Sequence, residues 1–259
     1  MNIYVLLLVL FISLLYIIYL HNNNIQEIYL NKNNNKEKYT AIIIEPRKHA
    51  ALEYVLENFV KNLDYNWNFI IFHGNLNEEY VKNIVNNKLS NYKNRITLKN
   101  LNVNNLTIND YNKILVSKKI YNDIPTEVFL IFQTDSIICK EYKDLINFYI
   151  KYDYVGAPWI NDKKVGNGGL SLRRKSKMLE IINNCKYDNK PEDMYFSLSC
   201  PYIYRNKPSF DDAKHFSVET VYDDISFGVH KPWIHFKDEE MKKKNNSCKG
   251  LDILTILNK

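Results

Sequence analysis

From Thr40 onward, short apolar runs alternate with stretches of helical periodicity, and this alternation restricts the chain to an α/β fold. The runs Thr40–Pro46, Trp67–His73, Ile96–Val103 and Glu127–Thr134 read as strands, the last being the most apolar. Between them, Ala50–Leu63 carries Ala51, Tyr54, Val55, Asn58, Phe59 and Asn62 at spacings of three and four. Asn77–Leu89 reads as a second helix, and Asn109 or Asp110 as the cap of a third that runs to about Tyr121. Strands separated by helices imply a Rossmann-like, mostly parallel central sheet flanked by helices. With only 7 Gly and 7 Pro among 259 residues, no linker is evident between about residue 40 and residue 240, so one globular domain is expected.

Ahead of this region, Ile3 to Leu20 is almost wholly apolar, interrupted by Ser13 and by Tyr4, Tyr16 and Tyr19. A helix rising about 1.5 Å per residue over that length nearly spans a hydrocarbon core of roughly 30 Å. Neither a basic n-region nor a small-x-small cleavage site accompanies it. Residues 1–21 are therefore expected to be a single-pass transmembrane signal-anchor, and residues 22–38 a polar stalk. Residues 39–240 would be the globular domain and 241–259 a polar C-terminal tail. Lys32, Lys36 and Lys38 flank the anchor on its C-terminal side; the positive-inside rule taken literally puts the globular part in the cytosol, and the sequence leaves the side open. Cys139, Cys185, Cys200 and Cys248 lack C-x-x-C spacing and fit either four buried thiols or two disulfides.

The formal charge of +6 raises the question of nucleic acid, but the basic residues are scattered and the densest cluster is only Lys242 to Lys244. No nucleic-acid partner is expected. A basic balance also suits a protein that receives a diphosphate-bearing ligand.

In an open α/β sheet, ligands bind beyond the carboxyl ends of the strands. Here those ends read Glu45-Pro46-Arg47, His73-Gly74 and Gln133-Thr134-Asp135-Ser136. The Gly-rich segment Gly166 to Gly169 comes much later and does not open a helix, which excludes a dinucleotide fingerprint and a P-loop. Asp135, at the end of the most apolar strand, is either a turn cap or a ligand for a hard divalent cation. Gly168 and Gly169 let backbone approach a ligand closely and offer unhindered N–H donors, with Ser171 and Arg173 adding hydroxyl and guanidinium contacts. Glu192 and Asp193 follow Pro191 at a predicted helix start, where the helix dipole favours acids.

Gln133-Thr134-Asp135 resembles a reduced D-x-D motif of GT-A glycosyltransferases, with Gln133 in place of the first acid. Downstream stand Tyr152-Asp153-Tyr154-Val155-Gly156-Ala157-Pro158-Trp159, then Val165-Gly166-Asn167-Gly168-Gly169-Leu170-Ser171-Leu172-Arg173, then Pro191-Glu192-Asp193. This ordered set resembles a poorly characterised family of GT-A-like proteins over roughly residues 40 to 235. The resemblance implies a GT-A-like catalytic domain that moves a sugar from a nucleotide-sugar, first of all a UDP-sugar, to a glycan, protein or lipid hydroxyl.

Mn²⁺ or Mg²⁺ would be held by Asp135 and by a C-terminal histidine, His230 with His235 as competitor. Gln133 and Thr134 would flank the donor, Glu45 and Arg47 would meet the nucleoside, and Asn167, Gly168 and Gly169 the sugar. Arg173 or Lys231 would pair with a phosphate, and Asp193, ahead of Glu192, would be the general base of an inverting reaction. Phe216-Ser217-Val218-Glu219 also matches the family pattern and receives no role, while Trp159 and Trp233 are read as packing residues. Two other classes compete. One is a nucleotidyltransferase, which usually carries a Gly-rich loop where this chain has Glu45-Pro46-Arg47; the other is a catalytically inactive, membrane-tethered carbohydrate- or nucleotide-binding protein, favoured by Gln133.

Overall fold

The computed structural model describes residues 39–161 and 163–259. The anchor and stalk expected over residues 1–38 lie outside them; among the described residues no helix is long and apolar enough to cross a membrane.

The first half follows the alternation read from the sequence. Strand β1 (Tyr39–Ile44) leads through helix α1 (Leu52–Asn62) to β2 (Trp67–His73), and α2 (Glu78–Asn83) runs on as a π-helical turn before β3 (Ile96–Asn100). Helices α3 (Ile108–Leu115) and α4 (Lys118–Asp123) then precede β4 (Val128–Phe132). The single helix expected up to Tyr121 is thus two. Thr107, not Asn109 or Asp110, caps the first in a reciprocal box with Asp110, and Ser117 caps the second.

Beyond β4 come the short strand β5 (Ser136–Ile138), helix α5 (Ile146–Tyr149), β6 (Tyr154–Gly156), the small hairpin β7 (Pro158–Trp159) and β8 (Lys164–Val165), and β9 (Leu170–Arg174). Helices α6 (Lys175–Asn184), α7 (Glu192–Leu198) and α8 (Phe210–Phe216) follow, then β10 (Ser217–Val218), β11 (Gly228–His230), α9 (Asp238–Ser247) and α10 (Leu251–Leu257).

The main sheet has the order β3-β2-β1-β4-β9-β6. Strands β1 to β4 are parallel, but β9 lies antiparallel to both β4 and β6, so the sheet is mixed rather than mostly parallel throughout. Between β4 and β9 the chain folds as short strands instead of a crossover helix of the length that a parallel return requires. Alternate residues of β1 serve opposite faces: Ala41 and Ile43 join the core under α1, and Ile42 and Ile44 the core under α4 and α6. On the first face Phe59 stacks on Phe132 with centroids 4.0 Å apart.

Helix α1 buries Leu52, Val55, Leu56, Phe59 and Val60, a face rotated from the expected one. Its Asn58 works at the margin: Oδ1 accepts from Ile138 N at 2.8 Å and Nδ2 donates to Ile138 O at 3.1 Å. The side chain thereby completes the backbone pairing of β5.

All four cysteines are bonded, Cys139 to Cys248 and Cys185 to Cys200. The segment expected as a polar tail is instead helices α9 and α10, with Cys248, Leu251 and Leu254 fully buried. Lys244 is buried as well, its Nζ donating to Asp223 O, Asp224 O and Ser226 Oγ. A basic run reads as solvated only while its ammonium groups reach water, and this one finds three acceptors inside. Cys248→Ser is expected to destabilise the fold by about 2–5 kcal/mol, because the crosslink closes a long loop in the unfolded chain; equilibrium denaturation of the oxidised variant checks this.

Candidate active site

A cleft of about 400 Å³ opens beyond the carboxyl ends of β1 and β4. Of the sequence-predicted site residues, Glu45, Arg47, Gln133, Thr134, Asp135, Asn167, Gly168, Gly169, Glu192, Asp193, His230 and Lys231 line it, whereas Ser171, Arg173 and His235 do not.

The second sheet, ordered β10-β11-β5, sets the cleft's deepest corner. Strands β11 and β5 are antiparallel with His230 opposite Ser136, so Asp135 and His230 become neighbours although 95 residues separate them. Lys231 N donates to Asp135 O at 2.9 Å, extending the pairing by one step. His230 Nε2 lies 3.2 Å from Asp135 Oδ1, yet both atoms are buried and, among the described residues, neither makes a hydrogen bond. On the other side of the ring, Nδ1 lies 3.1 Å from Glu219 Oε1. Burial alone would lower the imidazole pKa, but the carboxylates of Asp135 and Glu219 raise it to about 9. Burial would raise Asp135, and the adjoining His230 holds it below its ordinary value.

Among the described residues no three His, Cys, Asp or Glu side chains converge as a closed metal cage. What the corner offers is one carboxylate oxygen and one imidazole nitrogen, both buried and without hydrogen bonds. That donor set fits Mn²⁺ or Mg²⁺, with phosphate and water oxygens completing the shell.

The backbone of Gly169 lies against the imidazole: a Cβ there would come within 2.1–2.4 Å of three ring atoms. Gly169→Ala is therefore expected to push His230 out of place, to cost about 1–3 kcal/mol of stability and to weaken manganese-dependent nucleotide binding, as read by denaturation and titration calorimetry. At Gly168 a Cβ would meet Glu192 Oε1 at 2.5 Å and Asp193 Cβ at 2.8 Å. The expectation of free N–H donors here is corrected by the structure. Gly168 N donates to Asp193 Oδ2 at 3.1 Å and Gly169 N to Asn167 Oδ1 at 3.0 Å, so both amides are committed within the protein.

Arg173 is also reassigned. Its side chain is fully buried beneath the glycine segment, where Nη1 and Nη2 bind Glu192 Oε2 and Oε1 at 2.5 and 2.9 Å. Nε donates to Ser171 Oγ, whose hydroxyl in turn donates to Gly168 O. The rings of Tyr154 and Phe196 lie 5.0 and 5.6 Å from the guanidinium. The chain direction of β9, with Leu170 and Leu172 alternating with Ser171 and Arg173, turns Arg173 toward α7 rather than toward the cleft.

Glu192 is thus held by a cation, whereas Asp193 has none in contact among the described residues. Its oxygens accept from Gly168 N and Met194 N. Burial, and next the Glu192 charge, push the Asp193 carboxyl up to about 6.

On the opposite wall, Arg47 folds back on Glu45 through Nε and Nη2 at 2.8 and 2.7 Å, and Asn77 fixes the turn by donating to the carbonyls of both residues. The Arg47 side chain remains 56% exposed, leaving the outer guanidinium face to a ligand. Gln133 Nε2 donates to the Tyr111 hydroxyl at 3.0 Å. Lys231 takes a left-handed conformation, φ 49°, at the cleft margin. His235 does not line the cleft.

Sequence reasoning missed Tyr111 and Asn112, the latter accepting from Glu192 N, because both sit on helix α3 without a motif. Glu219 was visible as the acid closing Phe216-Ser217-Val218-Glu219, and only strand register reveals its partner.

The α/β fold with its mixed central sheet resembles that of GT-A glycosyltransferases. The solved structure of the glycosyltransferase GlyE from Streptococcus pneumoniae TIGR4 superposes with a TM-score of 0.53 at 11% identity, covering 86% of this chain and 63% of GlyE. The mannosyltransferase PcManGT from Pyrobaculum calidifontis, solved with GDP-Man and Mn²⁺, gives 0.50 at 11% identity over 68% of this chain and 55% of its own. The chain thus spans less than two thirds of either neighbour. No curated protein sequence matches significantly. A family model matches residues 95–230, just over half of the chain, and the protein belongs to that family, described as protein of unknown function, DUF5672.

Proposed function

We propose that this protein is a metal-dependent glycosyltransferase that moves a sugar from a nucleotide-sugar, with a uridine nucleotide as first candidate, to an acceptor hydroxyl with inversion. The buried pair Asp135 Oδ1 and His230 Nε2, 3.2 Å apart and free of hydrogen bonds at the end of the central strand, carries this assignment. In this reading the two residues hold Mn²⁺ or Mg²⁺, which when bound supplies positive charge to the departing diphosphate. Lys231 and the exposed face of Arg47 pair with phosphate oxygens, and Glu45 fixes Arg47 beside the nucleoside. Gln133, through its amide oxygen, and Thr134 flank the donor. Asn167 and the backbone of Gly168 and Gly169 form the surface against the sugar.

Asp193 takes the proton of the acceptor hydroxyl as that oxygen attacks the anomeric carbon. A carboxyl poised at about 6 is ionised at neutral pH and basic enough to accept it. Glu192 and Arg173 act from below: their ion pair sets the glycine segment and, through Gly168 N, the orientation of Asp193.

Residues 1–21 serve as a membrane anchor and 22–38 as a stalk in this reading. The two disulfides favour an oxidising compartment for the globular part, the side opposite to that suggested by Lys32, Lys36 and Lys38.

Titration of the protein with UDP, GDP and other nucleoside diphosphates, each with and without Mn²⁺, tests the proposal. Manganese-dependent binding of one nucleotide is the expected result, and its absence in folded protein rejects the donor site. The competing reading, a non-catalytic binding protein, draws on the amide of Gln133 engaging Tyr111 where GT-A enzymes carry an acid. Binding without turnover against a panel of sugars on that nucleotide would select it.

A further inference from the structure

We propose that Glu219 is a positioning residue for the candidate metal centre: it accepts a hydrogen bond from His230 Nδ1 and so holds the ring with Nε2 toward Asp135. This rests on the donor-site reading above.

Strands β10 and β11 are parallel with Ser217 beside Gly228 and Val218 beside Val229, so the next step of the register sets Glu219 beside His230. The antiparallel pairing of β11 with β5 sets the other side of the same residue against Ser136 and Asp135. Glu219, His230 and Asp135 thereby form a row across three strands. Glu219 Oε1 and Asp135 Oδ1 stand 3.1 and 3.2 Å from opposite nitrogens of one ring. Gly169 packs on the imidazole, blocking rotation on that side.

A buried carboxylate ordinarily serves several donors. Glu219 is 7% exposed, and among the described residues its one hydrogen-bond partner is His230 Nδ1; its Oε2 has none. The side chain supports no turn, cap or strand. Leaving a buried acid with a single partner costs free energy, and that cost is explained when the partner is what the acid exists to orient. A carboxylate behind a metal-bound histidine fixes its tautomer and increases its basicity. The demand is greater here because Gln133 replaces an acid and gives its amide to Tyr111, leaving His230 as half of the protein's own ligand set.

Two measurements on the full chain separate this role from the donor-site reading. The first is Mn²⁺ binding, followed by electron paramagnetic resonance of the free ion with UDP or GDP present. Glu219→Ala is expected to weaken Mn²⁺ binding about 10–100-fold, whereas Glu219→Gln, whose amide oxygen still accepts from Nδ1, stays within about threefold of wild type. Nucleotide affinity without metal stays unchanged in both. The second is the ¹⁵N spectrum of the His230 ring in metal-free protein. A slowly exchanging Nδ1–H is expected in wild type and Glu219→Gln and is lost in Glu219→Ala.

Equal Mn²⁺ affinity in wild type and Glu219→Ala overturns the role of Glu219, and so does a wild-type ring with no protected Nδ1–H. If wild type binds no Mn²⁺ with either nucleotide, the donor-site reading and the metal function of Glu219 fall together. If wild type binds and the variants do not differ, only the role of Glu219 falls.

Discussion

Asp193→Asn is expected to lower sugar transfer by about 10²–10⁴-fold while leaving the protein folded and, at pH 7, more stable than wild type. The loss follows from removing a cleft carboxylate that, among the described residues, has no cation in contact and whose proton affinity suits a base at neutral pH. In wild type the rate should rise with pH through about 6 and then level, as Asp193 ionises. The stability gain has the same origin. The folded state raises this carboxyl from its ordinary value of 3.8 to about 6, so it binds the proton more tightly than the unfolded chain does. Stability contributed by the protonated form is complete below about pH 4 and is lost as pH climbs through about 6. An uncharged amide escapes that loss but gives up one acceptor for Gly168 N or Met194 N, leaving a net gain of about 1–2 kcal/mol at pH 7. Urea denaturation at pH 7 and at pH 4 reads it directly: wild type and variant should differ at the first and converge at the second. A variant with normal turnover would remove Asp193 from the chemistry.

Arg173→Met carries the largest expected cost to the fold. Its guanidinium is fully buried, and removal leaves Glu192, itself 5% exposed, without its cation. Breaking one side of such a pair costs about 3–5 kcal/mol, most of it the stranded charge. A domain of this size loses about 2–4 °C in Tm for each kcal/mol, so thermal unfolding should begin well below that of wild type. Pairing the change with Glu192→Met should recover much of the stability, because two apolar side chains of similar volume can fill the space between Tyr154 and Phe196. Activity should not recover. Ser171 Oγ and Gly168 O lose their link to the guanidinium, and the turn that presents Asp193 loses its floor. Recovery of stability without recovery of transfer would distinguish a pair kept for the site's geometry from one kept for the fold.

Strands β1, β2 and β4 were legible because each is an apolar run with both faces buried, a signal that local sequence carries in full. The identity of the cleft was legible as well, since the ends of β1 and β4 carry Glu45, Arg47, Gln133 and Asp135. Which groups touch was not. The pairing of Asp135 with His230 depends on the antiparallel register of two three-residue strands, and that of Arg173 with Glu192 on how β9 faces α7. The antiparallel strand β9 escaped because its residues read alike in either direction. Helices α9 and α10 were misread from Lys242 to Lys244 alone. The run Leu251-Asp252-Ile253-Leu254-Thr255-Ile256-Leu257 was the contrary signal, with Leu251 and Leu254 on the buried side.

The last helix also reaches the centre of the molecule. Asn258 Nδ2 donates to Thr134 O at 3.0 Å, while Tyr54 OH donates to Gly250 O at 2.9 Å and Cys248 is bonded to Cys139 beside β5. The carbonyl immediately before Asp135 is therefore held by a residue 124 positions later. Strands β1 to β4 come from contiguous chain, whereas the corner containing Asp135 is braced by residues that follow much later, Lys231 and Asn258 among them. Loss of the Asn258 side chain is therefore expected to loosen the turn that carries Asp135, although the two residues are far apart in the chain.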